Sequence, residues 1–355
     1  MIFGQKAPAS RSVSRLALAL ALALALALAP PVAYADSAVG DEDISTVIKR
    51  ALGSLVEVIV DGQIKGGGGF VSESGAVITA AHLVSSPAAR LEVVTAKGER
   101  LVAEFTAYDK GHDLALLRVR AEGRRGGFPF LEVAGAIPPV GHTVHNLSVA
   151  LRNRGVVVRG VVAQDETAYN ELSESNGYIE TYFVSGMTPS LTSGGVWIDD
   201  HGRIAGIQSG RLNDGTLKSG IAMVVPPQAV SALVESGVTA ATPGIGGWVW
   251  EVWTGDAGFL KSIPQGTEGL VITSVRQGGA LDRANLRRLD VIMACDGVRV
   301  RRRAELFRLI RGLDPGDKVQ LSVLRPGSSR MREVVITLDH LERLWAETNG
   351  GEKES

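Results

Sequence analysis

Val77-Ile78-Thr79-Ala80-Ala81-His82 is an apolar run that ends on a histidine, and His112-Asp113-Leu114-Ala115-Leu116-Leu117 opens a second run with an aspartate. Thr192-Ser193-Gly194-Gly195 then sets a serine on a glycine turn ahead of the short run Val196–Ile198. Short apolar runs bounded by turn residues read as buried strands, so each polar group sits at a strand end. The order histidine, aspartate, serine carries chemical meaning. A serine hydroxyl is a weak nucleophile until an imidazole can take its proton, and the imidazole needs a buried carboxylate to fix its tautomer and stabilise its cation. Each piece alone is common at structural or surface positions, and Ser-Gly-Gly is also an ordinary turn. Together, and in this order, they match one of the known solutions to that geometry.

The neighbouring sequence agrees with a β-rich setting. Leu55–Val60, Phe70–Val71 with Val77–Thr79, Leu91–Thr95, Leu114–Val119, Val156–Val162 and Ile204–Ile207 are short apolar or β-branched runs. Turns containing Gly, Asp and Asn separate them at spacings that suit a sandwich or barrel. Helical periodicity is absent until Pro227–Ser236. The stretch Gly237–Gly247, rich in small residues, reads as a linker. Beyond it the patterning is mixed, with strands expected at Leu270–Val275, Val291–Cys295, Val319–Leu324 and Val334–Leu338. Glu305–Arg311 has helical spacing, with Leu306, Leu309 and Ile310 on one face. The expected fold is mainly β, with an α+β module at the C-terminal end.

Composition bounds the rest. The 355 residues carry 37 basic and 38 acidic groups, which gives no case for nucleic-acid binding. A single cysteine, Cys295, rules out an internal disulfide framework and a multi-thiolate metal site, and it reads as a small buried strand residue. Glycine, at 43 residues, favours turn-rich β structure. At the N-terminus Lys6, Arg11 and Arg15 precede the Leu/Ala run Leu16–Ala29, followed by Ala33-Tyr34-Ala35. Those are the parts of a secretory signal peptide, so 1–35 is expected to be removed and the mature protein to be periplasmic or secreted. His142 and His145 lack the further ligands a zinc site requires, and no metal or cofactor is expected. Asp109 reads as a turn carboxylate, His112 as a partly exposed neighbour of Asp113, and Arg301-Arg302-Arg303 as a solvated loop.

These segments resemble the chymotrypsin-fold serine proteases, and specifically the HtrA (Deg) family of exported proteases with a C-terminal PDZ domain. The glycine-rich Gly66–Gly69, Phe70–Gly75 and Thr79–His82 resemble the family's start, and its Asp-Leu-Ala-Leu-Leu is present at Asp113–Leu117. Gly202–Gln208 and Ser219–Pro226 resemble its downstream strand and Ala-x-Pro ending. The resemblance implies a chymotrypsin-like double β-barrel of two six-stranded units over 36–236, with the active site in the cleft between them. A linker at 237–247, a PDZ domain at 248–340 and a polar tail at 341–355 complete the expected organisation. It also implies that His82 is the base, Asp113 orients it and Ser193 attacks a peptide carbonyl.

One departure falls on the catalytic loop. The family's usual Gly-Asn-Ser-Gly-Gly is here Leu191-Thr192-Ser193-Gly194-Gly195. The N–H groups of Leu191 and Ser193 are expected to form the oxyanion hole, which contributes a few kcal/mol to the transition state. Leucine at positive φ costs about 1–2 kcal/mol, so the hole is expected to be strained, closed at rest or absent. Met187, six residues before the serine, brings no acid to the specificity pocket, and neither do Ile207-Gln208-Ser209. Small or medium apolar side chains are therefore the expected preference.

In the C-terminal module the peptide-binding loop is expected around Trp248, Val249, Trp250, Glu251 and Val252, with Trp250 standing where the family has glycine. The tryptophans either line a peptide groove or pack the module against the barrels. The functional reading is an exported, ATP-independent serine endopeptidase that cleaves unfolded or exposed polypeptide segments under PDZ regulation. Its expected partners are misfolded polypeptides, C-terminal peptides at the PDZ domain, and further copies of the chain in a trimer. The alternative is a catalytically silent, protease-like scaffold that binds partners through the PDZ domain.

Overall fold

A computed structural model describes residues 43–84, 89–120, 126–150, 153–172, 177–189, 191–213, 218–328 and 330–341. The signal-like segment 1–35, and all of the tail 341–355 except Leu341, lie outside the described residues.

Two closed six-stranded barrels follow one another in the chain. The first contains β1 (Leu55–Val60), β2 (Gln63–Phe70), β3 (Ala76–Ala80), β4 (Leu91–Thr95), β5 (Arg100–Asp109) and β6 (Leu114–Val119), in the order β1-β2-β3-β6-β5-β4. The second contains β7 (Thr143–Ala150), β8 (Asn153–Leu172), β9 (Gly177–Ser185), β10 (Val196–Ile198), β11 (Ile204–Asn213) and β12 (Lys218–Val225), in the order β10-β11-β12-β9-β8-β7. All pairings within the barrels are antiparallel. Closure leaves neither barrel with an exposed edge strand, which a short-stranded β domain otherwise has to protect.

Each barrel has its own apolar filling. Val58, Phe70, Val77, Val93 and Leu117 pack inside the first. Val144, Tyr182, Val184, Trp197 and Val224 pack inside the second. Trp197 is fully buried and satisfies its indole by donating to Gln208 Oε1 at 2.8 Å. A third cluster, with Ile78, Leu114, Leu147, Val196, Ile198 and Ile207, joins the barrels. Two helices close over it, α1 (Ile44–Leu52) and α2 (Pro227–Ser236). The sequence pattern places no helix before Pro227, so α1 is a correction. Ile44, Val47, Ile48 and Ala51 fall on one helical face and pack on this cluster.

Behind the barrels lies an α+β module. Its sheet runs β14 (Gly247–Glu251), β15 (Leu270–Val275), β16 (Val291–Cys295), β18 (Lys318–Leu324) and β19 (Met331–Thr337), with the short β17 (Val298–Arg299) paired to β16. The helices are α3 (Ala257–Lys261), α4 (Ala280–Arg283) and α5 (Arg303–Arg311). The expected linker does not run up to residue 247. β13 (Pro243–Gly244) pairs with β20 (Asp339–His340), so the last part of that stretch is tied into the module. Cys295 is buried in its core, and burial pushes its thiol up to about 12.

The arginine run is also more structured than a solvated loop. Arg301 Nε lies 2.7 Å from Glu268, and Arg303 pairs with Glu251 at 3.3 Å as it starts α5.

Candidate active site

The site forms where the two barrels meet. β3 carries the chain to His82 in a single 3₁₀ turn, and Asp113 stands immediately before β6, the strand that pairs with β3. That pairing brings the two residues together. The Ala81 N–H donates to the Asp113 carbonyl at 2.9 Å, and the His82 N–H donates to Asp113 Oδ1 at 2.8 Å. The imidazole Nδ1 lies 2.7 Å from Asp113 Oδ2. Asp113 is wholly buried and holds a left-handed φ of 54°. A buried carboxylate at that distance fixes the proton on Nδ1 and leaves the basic lone pair on Nε2.

A further donor to Asp113 escaped the sequence reading. Ser209 of β11 is buried, and its hydroxyl donates to Asp113 Oδ2. The carbonyl of the same residue accepts from Ser193 Oγ at 3.2 Å. Ser209 therefore touches both the carboxylate and the nucleophile. Only its place in a strand beyond Ser193 was visible in sequence, and many serines occupy such places.

The serine loop is braced from several sides. Gly67 N–H donates to the Ser193 carbonyl at 2.9 Å, and Gly194 N–H donates to the Gln208 carbonyl at 2.7 Å. Thr192 Oγ1 donates to the Pro189 carbonyl at 2.9 Å, while the Thr192 carbonyl accepts from Gly195 N–H at 2.9 Å. The glycine run of β2 is what permits this approach. A Cβ on Gly66 would stand 2.4 Å from the Ser193 carbonyl oxygen, and one on Gly194 would stand 2.1 Å from that of Gly67. Gly194 also has a φ of 75°, which glycine adopts without strain.

Leu191 takes a φ of 69°, so the loop is strained there. Among the described residues, the N–H groups of Leu191 and Ser193 have no hydrogen-bond acceptor. No hydrogen bond joins Ser193 to His82, because the hydroxyl is turned to Ser209. Such contacts commonly tighten only once substrate is bound.

Met187 is 82% exposed, and Arg211 of β11 reaches across to donate to the Thr188 carbonyl at 2.8 Å.

His112 is no idle neighbour of Asp113. Its Nδ1 lies 2.7 Å from Asp109 and its Nε2 3.5 Å from Glu180 of β9. Burial favours the neutral ring, but these two carboxylates outweigh it and raise the imidazole to about 9. Burial likewise acts against the charge on Glu180. Hydrogen bonds from His112, Thr167 and Tyr169 overcome that and hold Glu180 down at about 2. Lys110, on the same loop, is buried and lowered to about 8, with Asp113 opposing the shift.

In the C-terminal module Val249 is fully buried in the core, and Val252 lies in a smaller apolar cluster. Glu251 is taken up by Arg303. Trp248 packs edge-on against Tyr178 with ring centres 4.9 Å apart, and Trp250 Nε1 donates to Glu171 at 2.9 Å. The tryptophans thus face β8 and β9. Among the described residues no group of three His, Cys, Asp or Glu side chains is placed to hold a metal ion.

Two barrels with an aspartate, a histidine and a serine at their junction define a trypsin-like peptidase domain, here followed by an α+β module. The family descriptions agree: a trypsin-like peptidase domain matches residues 67–207 and a PDZ domain matches 253–338. In this succession of domains the chain is similar to serine proteases of the HtrA type.

Among its relatives is a probable periplasmic serine endoprotease, DegP-like, of Chlamydia trachomatis, 23% identical over 280 residues that cover 77% of this chain and 54% of the relative. The DegP-like protein of Brucella suis is 27% identical over 284 residues, covering 77% and 52%. The chain therefore spans about half the length of these curated relatives. Of solved structures, the HtrA-type protease AlgW with a decapeptide superposes with a TM-score of 0.61 at 18% identity, covering 84% of this chain and 99% of that one. A serine endoprotease from Yersinia pestis gives 0.57, also at 18%, covering 85% and 99%. At that identity the superpositions establish the fold.

Proposed function

We propose that this protein is an exported, ATP-independent serine endopeptidase that cuts unfolded or exposed polypeptide segments. The observation that carries the reading is the Asp113–His82 pair, held at 2.7 Å beside a braced serine loop with two unclaimed N–H groups. In the reaction, His82 Nε2 takes the proton of Ser193 Oγ as the oxygen attacks the scissile carbonyl. Asp113 stabilises the imidazolium, and the N–H groups of Leu191 and Ser193 receive the developing oxyanion. The imidazolium then gives its proton to the leaving amine, and water repeats the sequence on the acyl-enzyme. Side chains and backbone suffice for each step, so no metal or cofactor is invoked.

Unfolded chains suit such a cleft because they can lie extended across it, and apolar side chains such as Val, Ala or Ile suit a pocket flanked by Met187 and Arg211. Export rests on the signal-like 1–35 and on relatives named as periplasmic. PDZ domains take peptide ends by adding a strand to a sheet edge, so carboxylate-ended peptides are the proposed second partner. Trimeric assembly rests on the family resemblance alone.

Labelling with a fluorophosphonate tests the central claim, because only an activated serine reacts well. The mature protein should be labelled, and Ser193→Ala and His82→Ala should abolish both labelling and casein hydrolysis without a large change in thermal unfolding. One observation favours the rival reading of a silent scaffold: Ser193 donates to Ser209 rather than to His82. A protein that stays folded, unlabelled and inert would establish that reading instead.

A further inference from the structure

The PDZ-type sheet leaves β14 as its outer strand, the edge to which a peptide would add. That edge already has an occupant. Tyr178, at the start of β9, donates its hydroxyl to the Val249 carbonyl at 2.6 Å and accepts from the Val249 N–H at 2.9 Å. One phenol thus satisfies both backbone groups that an added strand would pair with at that residue.

The tyrosine is seated as a ligand would be, between strand and helix. Its ring meets Trp248 on β14 and lies 4.5 Å, centre to centre, from Phe307 on α5. Tyr169, across the same hairpin, also stacks on Phe307, at 5.4 Å. Both tyrosines are buried within the apolar core of the module, although they belong to the second barrel. Glu171 holds Trp250, and Arg311 at the end of α5 donates Nη2 to the Tyr178 carbonyl at 2.6 Å.

Beside the ring is a cavity of about 230 Å³, bounded by Gly246, Gly247, Trp248, Arg276 and Arg311. Arg311 Nε and Nη1 are shut off from solvent and have no acceptor among the described residues.

We propose that the hairpin of β8 and β9 is an internal ligand of the PDZ groove, and that a carboxylate-ended peptide gains the edge of β14 only by displacing Tyr178. The inference rests on the peptide-binding reading of the module and not on proteolysis. A tethered competitor is present at an effective concentration of order millimolar, so it lowers the apparent affinity of any free peptide.

The test uses the full chain carrying Ser193→Ala, so that peptides persist, with and without Tyr178→Phe. That change removes the hydroxyl and keeps the ring in its packing. Each protein is immobilised and offered a degenerate hexapeptide mixture with free C-terminal carboxylates, then the same mixture as C-terminal amides. Bound peptide is read by mass spectrometry, and amide hydrogen exchange is followed over 247–251 without peptide. Tyr178→Phe should retain at least tenfold more acid peptide than its parent, with no gain for amides, and should exchange faster at Val249. Equal retention by both proteins, including none by either, overturns the proposal, as does an equal gain for acids and amides or unchanged exchange. If Tyr178→Phe fails to fold, Glu171→Ala loosens the same hairpin from an exposed position, and the same outcomes decide. A failure of fluorophosphonate labelling would leave these results unaffected.

Discussion

Leu191→Gly sets backbone strain against the hydrogen bonds that hold the serine loop. The left-handed φ of 69° costs a leucine about 1–2 kcal/mol, and glycine would remove that cost. Four hydrogen bonds oppose collapse: Gly67 to Ser193, Gly194 to Gln208, Thr192 to Pro189 and Gly195 to Thr192. At about 0.5–1.5 kcal/mol each they supply roughly 2–6 kcal/mol, more than the strain. The expected outcome is that the loop keeps this conformation even with leucine present. Leu191→Gly should change the rate of fluorophosphonate acylation by less than about threefold. Stability should move by about 1 kcal/mol or less, because relief of strain is offset by the entropy glycine loses on folding and by the partial burial of the leucine side chain. Stopped acylation assays on both proteins at equal probe concentration measure the first quantity, and thermal unfolding measures the second. A tenfold or larger acceleration would refute the reasoning, since it would mean that the leucine loop is mostly collapsed and the four bonds are worth less than the strain.

Ser209→Ala deletes a charge-assisted donor to Asp113 while leaving the two bonds from His82, and acylation should fall about ten- to hundredfold, the equivalent of about 1.5–3 kcal/mol. An unchanged rate would show that Asp113 is held without it. The pairing of His112 adds stability that is full below about pH 6.5 and is lost as pH rises through about 9, because its folded value lies above its ordinary one. Glu180, held low, contributes above about pH 4.5 and loses that contribution as pH falls towards about 2. The Tm gap between the wild type and His112→Gln should accordingly be widest near pH 6–7 and shrink by pH 10, and a constant gap would count against the ion cluster.

Legibility followed burial. Leu55–Val60, Leu91–Thr95, Leu114–Val119, Leu270–Val275 and Val291–Cys295 have the same bounds in the structure as in the sequence, because each is an apolar run packed largely inside. Val156–Val162 is only part of a strand that continues to Leu172. Its polar continuation through Gln164 to Thr167 leaves the barrel as a hairpin with two solvent-facing sides, so no alternation marks it. Asp113 and His82 could be paired in advance because each sits at the end of a strong strand, and the pairing of those strands does the rest. Ser209 could not, since its role depends on a β11 register that no local pattern encodes.

The junction between barrel and PDZ module is the least legible part, and the reason is chemical. Its contacts come from residues that each have a sufficient ordinary explanation: tyrosines on a hairpin, a helix-ending arginine, a glycine in a turn. Arg311 passes so close to Gly111 that a Cβ there would lie 2.8 Å from Nη1, and the Gly111 carbonyl accepts from Glu180 N–H at 2.8 Å. Gly111 thus lets the arginine of the module reach the stretch that carries His112 and Asp113. The same five residues, Asp109 to Asp113, meet His82 at one end and the base of the β8–β9 hairpin at the other. Displacing Tyr178 would disturb a strand whose next polar residue, Glu180, is bonded to this stretch through both backbone and side chain.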